Sequence, residues 1–329
     1  MTSLRIHGGP DAHGVPLHDF STNSNACGPC PAAWVAVQQV DATQYPDASY
    51  TLLRGQLAAL HGIDVQRVVL AASASEFIFR ITSMVARRGG RSAALPPHSY
   101  GDYAHAAMAH GLTVDTAPID ADLCWACEPS SPLGQAHTDW KLASNAVCVL
   151  DRAYEPLRLS GVFAHGDDLH KLWQLYSPNK ALGLTGVRAA YAIAPADAEA
   201  DIEAMSQLCP SWPIGAHGVA MLQAWASPLA QSWLAGSLDT LREWKARQLA
   251  LCEAMGWTTL PSDANFFCAL PAQSSALSPG LSLLEALARL REQGIKLRDA
   301  TSFGLPGYVR LGVLAPAAQD ALAVAVQRL

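Results

Sequence analysis

The sequence has little charge and few aromatic residues. Of its 329 residues, 15% are charged and 7% are aromatic, and acidic residues outnumber basic ones to give a formal charge of −6. A surface that binds nucleic acid needs clustered lysine and arginine to neutralise phosphates, so this balance argues against a nucleic-acid partner. The sequence also lacks a repeat at the periods of solenoid proteins, which excludes a repeat architecture.

Long apolar runs are missing as well. The most apolar segment, VVLAASASEFIFRITSMVA, is interrupted by Glu76 and Arg80 and is too broken to span a bilayer. The first residues, MTSLRIHGGPDAHG, have no apolar run after their basic residue, so we expect no secretory signal. We therefore expect a cytoplasmic protein without a membrane partner, in which cysteines stay reduced.

Two CxxC pairs are the first candidates for chemistry. Cys27 and Cys30 flank a Gly-Pro turn in NSNACGPCP, and Cys124 and Cys127 lie in LCWAC. Either pair could act in redox chemistry, and the four cysteines together could bind zinc. However, no apolar strand leads into Cys27, and residues i and i+3 of a strand point to opposite faces. We interpret the first pair as a turn and the second as small apolar strand residues, and we expect no metal.

Strand-like and helical runs alternate through the first two thirds of the chain. The strand-like runs are RVVLAA, SAALPP, LTVDTAPI, LCWAC, AVCVLD, KLWQLYS and VRAAYAIA. This alternation predicts an α/β fold with a mostly parallel sheet covered by helices on both faces. After about residue 205 the pattern becomes mainly helical, with two strand-like runs, which predicts a smaller α+β domain. We divide the chain into an N-terminal arm (1–30), a large domain (31–205) and a small C-terminal domain (206–329).

Polar residues close three of the predicted strands. Asp151 ends AVCVLD, Lys180 follows LWQLYS in a Ser/Pro/Asn turn, and Ser75 lies where a strand meets a helix. Ligands of parallel sheets bind beyond the carboxyl ends of the strands. Hydroxyls and helix N–H groups can hold a phosphate there, and Arg188 could add a bidentate cation. A carboxylate, a lysine and a phosphate cradle in this order form the most specific functional pattern in the chain.

The residues around these positions resemble the fold type I enzymes that use pyridoxal 5′-phosphate. Within that group the chain is most similar to the histidinol-phosphate aminotransferase and threonine-phosphate decarboxylase branch of the class I/II aminotransferases. Similar stretches run through nearly the whole chain: DFSTNSNACGP, YPDASYTLLRGQLAALHGI, ASASE, PPHSYGDY, DRAY, SPNKALGLTGVRAAY and GIKLRDATSFGLPGYVRLGV. The resemblance implies the fold of type I transferases that depend on this cofactor, in which the large domain contains a mostly parallel, seven-stranded type of sheet.

The resemblance also implies roles at the cofactor. Lys180 would bind the cofactor covalently and then act as general acid and base, and Asp151 would keep the pyridine nitrogen protonated. Tyr154 would hydrogen-bond the ring O3′, and Tyr100 would stack on the ring face. The phosphate would be held by Ala74, Ser75, Ser177 and Arg188. Tyr45 would reach the phosphate of the neighbouring subunit, which implies a homodimer.

On the substrate side, Arg310 would bind a carboxylate or phosphate as a bidentate partner. Arg298 would be a second cation, and Asn25 a further substrate contact. The asparagine that the family usually presents to O3′ is Ser131 here, so a hydroxyl with one donor replaces an amide with two. We expect an aminotransferase that acts on a small-molecule amino donor and a keto or aldehyde acceptor. Two alternatives stay open, namely decarboxylation of an amino acid phosphate and a non-catalytic ligand-binding protein of the same fold.

Overall fold

The first described elements of the chain precede the main sheet. The computed structural model describes residues 7–116, 120–137, 146–163, 166–272 and 281–329. The elements that precede the main sheet are β1 (His18–Asp19), α1 (Pro31–Gln39) and α2 (Thr51–His61). Helix α1 begins at a proline, whose missing N–H has no carbonyl partner at that position anyway. Helix α2 ends at Gly62, which adopts a left-handed conformation (φ 62°), as the sequence predicts.

The main sheet combines seven strands of the described chain. They are β2 (Val68–Ala71), β3 (Ser92–Ala94), β4 (Thr113–Asp115), β5 (Leu123–Cys127), β6 (Val147–Asp151), β7 (Trp173–Tyr176) and β8 (Ala190–Ile193). Their order across the sheet is β2-β8-β7-β6-β5-β3-β4, and β8 runs antiparallel to both of its neighbours while the other pairs are parallel. The predicted α/β fold with a mostly parallel seven-stranded sheet is confirmed.

Helices cover both faces of this sheet. The helices that follow in the chain are α3 (Ala74–Arg87), α4 (Gly101–Ala109), α5 (Glu199–Gln207), α6 (Ala216–Trp225) and α7 (Pro228–Ala254). Helices α3, α4 and α5 pack against one face, which presents Val69 and Trp173. Helices α1, α2, α6 and α7 pack against the other face, which presents Leu70 and Tyr191. Alternate strand residues therefore enter different cores, as the pleat requires.

The last part of the chain forms a smaller α+β unit. Its elements are β9 (Thr258–Thr259), β10 (Phe266–Leu270), α8 (Leu283–Glu292), β11 (Ile295–Lys296), β12 (Arg298–Asp299), β13 (Val309–Gly312) and α9 (Pro316–Val326). Strands β12, β13, β10 and β9 form an antiparallel sheet in that order. Strand β11 instead pairs in parallel with β1, so the start of the chain lies against this unit. No helix in the described ranges is long and apolar enough to cross a membrane.

Candidate active site

A cavity of about 550 Å³ lies at the carboxyl ends of the central strands. Asp151, the last residue of β6, and Lys180, in the turn after β7, both line it. The parallel strands place these two ends on the same edge of the sheet, where ligands of such sheets bind. Of the other residues predicted for the site, the cavity wall contains Ala74, Ser75, Tyr100, Ser131, Tyr154, Ser177 and Arg188.

Asp151 is a buried carboxylate with two fixed donors. Asp151 is only 5% exposed, and the hydroxyl of Tyr103 donates to its Oδ2 at 2.6 Å. The backbone N–H of Ala153 donates to Oδ1 at 2.9 Å. Burial raises the pKa of Asp151, while the Tyr103 hydrogen bond and the charge of Lys180 oppose that rise. Tyr103 is itself held by stacking on Trp125, with ring centroids 4.4 Å apart.

The N-terminal segment holds the turn that carries Lys180. Backbone N–H groups of Asn25 and Cys30 donate to the carbonyls of Lys180 and Leu182, at 2.9 and 2.8 Å. Gly183 is left-handed (φ 69°), and a Cβ there would lie 3.1 Å from Pro29 Cα, so glycine allows the two segments to approach. On the cavity side, the ammonium of Lys180 donates to Ser177 Oγ at 3.1 Å. The CGPC segment therefore packs behind the lysine turn.

The N-terminus of α3 forms another part of the cavity wall. Ser73 caps this helix by accepting a hydrogen bond from the N–H of Glu76 at 3.1 Å. The first N–H groups of a helix, here at Ala74 and Ser75, have no carbonyl partner within the helix and can bind an anion. Ser75 Oγ lies 3.3 Å from the hydroxyl of Tyr100, which donates to Asp102 at 2.8 Å. Burial raises the pKa of Tyr100, so its hydroxyl keeps the proton that it donates.

Two arginines lie side by side in the smaller unit. Arg298 and Arg310 are directly paired across β12 and β13. Arg310 is 7% exposed; its Nη2 donates to Ser21 O at 2.9 Å, and its Nη1 lies 3.5 Å from Ser131 Oγ at the cavity wall. Its buried Nε has no hydrogen-bond partner among the described residues. Burial lowers the pKa of Arg310, because a charge is costly where water is excluded.

The profile of the family described as Aminotransferase class I and II matches residues 16–329. The chain belongs to this family. It is 26% identical to the histidinol-phosphate aminotransferase of Jannaschia sp. (strain CCS1) over 92% of this chain and 88% of that protein. It is 25% identical to the histidinol-phosphate aminotransferase 1 of Thiobacillus denitrificans (strain ATCC 25259 / T1), over 89% of this chain and 80% of that protein. It is therefore an aminotransferase that depends on pyridoxal 5′-phosphate.

Solved structures agree with the fold of this aminotransferase. The histidinol-phosphate aminotransferase of Sinorhizobium meliloti, in complex with pyridoxal-5′-phosphate, matches with a TM-score of 0.76 at 19% identity, over 93% of this chain and 89% of that one. The L-threonine-O-3-phosphate decarboxylase of Porphyromonas gingivalis matches with a TM-score of 0.72 at 21% identity, over 94% and 98%. The fold type I architecture that the sequence predicts is confirmed.

The cavity of the aminotransferase fits pyridoxal 5′-phosphate in size and in chemistry. Its volume lies in the range of ordinary cofactor sites. A buried carboxylate on the cavity wall, Asp151, suits a protonated ring nitrogen, and Lys180 supplies the amine. The N-terminus of α3 and the exposed guanidinium of Arg188 suit a phosphate. These groups lie on different elements and converge only in the folded chain.

Four of the predicted site residues, Asn25, Tyr45, Arg298 and Arg310, do not line this cavity of their own chain. Asn25 is 2% exposed, and its side chain donates to Ala181 O and Ser237 Oγ at 3.1 and 2.8 Å. The wall instead contains Asn23, which donates to the hydroxyl of Tyr154 at 3.3 Å. Tyr45 is 79% exposed, and its ring packs against Trp212 with centroids 4.7 Å apart.

Sequence reasoning missed Asn23, Asp102 and Tyr103 as residues of the site. Asn23 stands two positions before Asn25 in the same NSN motif, and only the path of the chain separates the two. Asp102 and Tyr103 stand two and three positions after Tyr100, in the first turn of α4. Tyr103 lies three positions after Tyr100, and that helical spacing is the signal that could have indicated a shared wall.

The second CxxC pair lies in a strand, as predicted. Cys124 packs with Ala94 and Leu150, whereas Cys127 packs with Ala153 and Tyr154 near the cavity. The two thiols therefore lie in different clusters on β5. Within the described ranges, no group of three or more His, Cys, Asp or Glu side chains is arranged to hold a metal ion.

Proposed function

We propose that this aminotransferase takes the amino group of a substrate that also carries a phosphate or a carboxylate, and delivers it to a keto acid or an aldehyde. In substrate class it would be similar to the histidinol-phosphate aminotransferases. The observation that carries the proposal is the buried guanidinium of Arg310, with an unpaired Nε, beside the wall that contains Ser131.

An anionic group on the substrate would supply the partner that Arg310 lacks in the described chain. A buried charge is costly unless it is paired, and a phosphate or carboxylate can accept two parallel hydrogen bonds from one guanidinium. In the described chain Arg310 forms no ion pair with a carboxylate. Arg298, one strand away, supplies a second positive charge. A substrate anion would thus satisfy Arg310 and orient the amine toward Lys180.

Each cavity residue then has a task in the proposed mechanism. When bound, pyridoxal 5′-phosphate supplies an electron-withdrawing ring that stabilises negative charge at the substrate Cα. Lys180 would hold the cofactor and act as general acid and base, since its amine lies on the cavity side. Asp151 would keep the ring nitrogen protonated, and Tyr103 and Ala153 fix the orientation of its carboxylate.

The remaining residues position the ring and its phosphate. Tyr154 would bind the ring O3′, with Asn23 as the donor that orients its hydroxyl. Tyr100 would stack on the ring. Phosphate binding is assigned to Ala74, Ser75, Ser177 and Arg188. Ser131 adds a hydroxyl between the O3′ side of the cavity and Arg310.

Tyr45 is assigned to the phosphate of the partner subunit in a homodimer. Its exposure supports this assignment, because Tyr45 is 79% exposed, does not line the cavity of its own chain and is accessible to a second subunit. A mixed dimer tests it: with Tyr45→Ala in one subunit and Lys180→Ala in the other, both changes should fall in the same site, and the second site should keep full activity. One altered and one inactive site per dimer would contradict the assignment.

Decarboxylation is the second candidate, and the pairing of Arg298 with Arg310 favours it. Histidinol phosphate carries one anionic group, whereas an amino acid phosphate carries a carboxylate and a phosphate, which suits two guanidiniums. The same cofactor serves both reactions, and the substrate bond that stands perpendicular to the ring decides which of them occurs.

A product analysis separates the two reactions. The holoenzyme is incubated with histidinol phosphate and 2-oxoglutarate, and separately with O-phosphothreonine without a keto acid. We expect glutamate to form in the first mixture and no CO₂ to be released in the second. Release of CO₂ without any keto acid requirement would replace transamination by decarboxylation as the proposed function.

A further inference from the structure

We infer that His98 is a positioning residue for the anion site. It fixes the turn that carries Phe303, and this turn sets the arrangement of Arg298 and Arg310. The inference rests on the proposed function, because it is that proposal which assigns the two arginines to a substrate anion. Nothing in the cofactor chemistry requires His98, which does not line the cavity.

The contact between His98 and Phe303 joins the two units of the fold. His98 Nδ1 lies 2.7 Å from the backbone carbonyl of Phe303. A carbonyl oxygen only accepts, so Nδ1 carries the proton and donates it. His98 stands two residues before Tyr100 in the loop that leads into α4, whereas Phe303 follows β12 in the smaller unit. This hydrogen bond therefore ties the loop at the cofactor cavity to the arginine pair.

Phe303 contacts both guanidiniums. Its ring centroid is 4.8 Å from Cζ of Arg298 and 5.5 Å from Cζ of Arg310. Each contact is a cation–π interaction, which attracts the cation to the ring and excludes water from it. Two neighbouring like charges repel, and burial together with the charge of Arg310 lowers the pKa of Arg298. A fixed ring therefore holds together a pair that would otherwise separate.

The same turn also orients Arg298 directly. Arg298 donates to Ser302 Oγ and to Asp299 O, both at 2.8 Å. Thr301 and Ser302 are exposed, so packing of their side chains does little to fix the turn. Gly304 ends the turn at φ 79°, and a Cβ there would lie 3.3 Å from His98 Nδ1. A glycine at this position leaves room for the imidazole, which adds a contact from the larger unit to the hydrogen bonds that the turn makes with its own neighbours.

Two variants separate the hydrogen bond from the rest of the side chain. His98→Ala removes the donor, while His98→Asn keeps an N–H at a position close to that of Nδ1. The probe is phosphonoacetate, which carries a phosphonate and a carboxylate but no amine, so it can bind without reacting. Its affinity for the holoenzyme is measured by isothermal titration calorimetry, because bound cofactor already fills the phosphate cradle.

We expect His98→Ala to weaken phosphonoacetate binding about fivefold, the usual effect of one lost hydrogen bond. His98→Asn should stay within about twofold of the wild type, on the same basis. The affinity of the apoprotein for pyridoxal 5′-phosphate, followed by quenching of tryptophan fluorescence, should be the same in all three proteins. In turnover assays the loss in His98→Ala should appear mainly in KM and much less in kcat.

The outcomes that contradict the inference differ from those that contradict the proposed function. Unchanged phosphonoacetate binding in His98→Ala would overturn the role of His98 while leaving the anion site in place. An equal loss of phosphonoacetate and cofactor affinity, or no recovery in His98→Asn, would also overturn it, since either would indicate a general structural role. Failure of the wild type to bind phosphonoacetate would overturn the anion site itself, and the inference with it.

Discussion

The hydroxyl of Tyr103 donates a 2.6 Å hydrogen bond to Oδ2 of Asp151 in a fully buried position. A hydrogen bond to the ionised form favours that form, so it counteracts the effect of burial on the carboxyl group. Tyr103→Phe keeps the ring that stacks on Trp125 and removes only the donor. We expect the pKa of Asp151 to rise and kcat/KM to fall about tenfold, the effect of losing a hydrogen bond to a charged group.

The pH dependence of activity distinguishes this effect from a loss of folding. The acidic limb of the kcat/KM profile should move to higher pH in Tyr103→Phe, because the carboxyl group then takes up its proton at higher pH. Tyr100→Phe is the matched control, since its hydroxyl bonds to Asp102 and not to Asp151. An acidic limb that moves equally in both variants would remove the special role of Tyr103.

Arg310→Gln tests the anion site by removing the charge. We expect KM for a phosphorylated or dicarboxylate substrate to rise about a hundredfold, because a charged hydrogen-bonded pair is worth roughly 3 kcal/mol. Arg310→Lys should recover only part of this, as lysine keeps the charge but not the bidentate geometry. Arg87→Gln, an exposed arginine on α3, is the control. Equal KM values in Arg310→Gln and Arg87→Gln would exclude Arg310 from substrate binding.

The regular part of this fold and the strand ends of its site follow from the sequence. The strands of the main sheet carry apolar runs; Asp151 closes one of them, and Lys180 lies in the turn after another. The two-residue strands β1, β9, β11 and β12 are too short for a pattern to show. The side-by-side placement of Arg298 and Arg310 depends on the register of β12 and β13. A single sequence does not encode that register locally.

In the irregular N-terminal segment, the sequence could not show which of two neighbouring asparagines faces the cavity. Asn23 and Asn25 are the same residue type in one motif, and a helix or strand period does not apply there. The backbone bond from Asn25 to Lys180 O turns one asparagine toward Ser237 and leaves the other at the cavity. Such a choice depends on tertiary hydrogen bonds, which form between segments more than 150 residues apart.

The CGPC thiols should be dispensable for activity. Cys30 is fully buried at the start of α1, and burial raises the pKa of the Cys27 thiol, which lowers its thiolate fraction at neutral pH. The double variant Cys27→Ala with Cys30→Ala should therefore keep kcat within about twofold, because the transition state gains nothing from either sulfur. A large loss of kcat with an unchanged circular dichroism spectrum would restore the thiols to the mechanism.

His61 should make the fold less stable in mild acid. Its Nε2 lies 2.7 Å from the hydroxyl of Tyr191, and burial together with the charge of Arg152 lowers the pKa of His61 from 6.5 to about 4. Between these two pH values the unfolded chain binds a proton that the folded chain does not, so stability falls as pH falls through this window. The full loss is at most about 3 kcal/mol, at 1.36 kcal/mol for each pH unit.

Urea unfolding at pH 7.5 and pH 5.5 measures this contribution. His61→Gln retains an acceptor for Tyr191 but does not titrate, so the other ionisable groups affect both proteins alike. We expect the wild type to lose about 1 kcal/mol more than the variant between the two pH values, in line with the same conversion. An equal loss in both proteins would show that His61 is not buried in its neutral form.

Identifying the lysine that binds the cofactor tests the account most directly. The holoenzyme is reduced with borohydride, digested and analysed by mass spectrometry, with Lys180→Ala treated in the same way. We predict a reduced phosphopyridoxyl group on the peptide that contains Lys180. In the Lys180→Ala variant we predict neither this modification nor turnover. A stoichiometric modification at another lysine, such as the half-buried Lys296 or the buried Lys245, or normal turnover in Lys180→Ala, would contradict the assignment of the site.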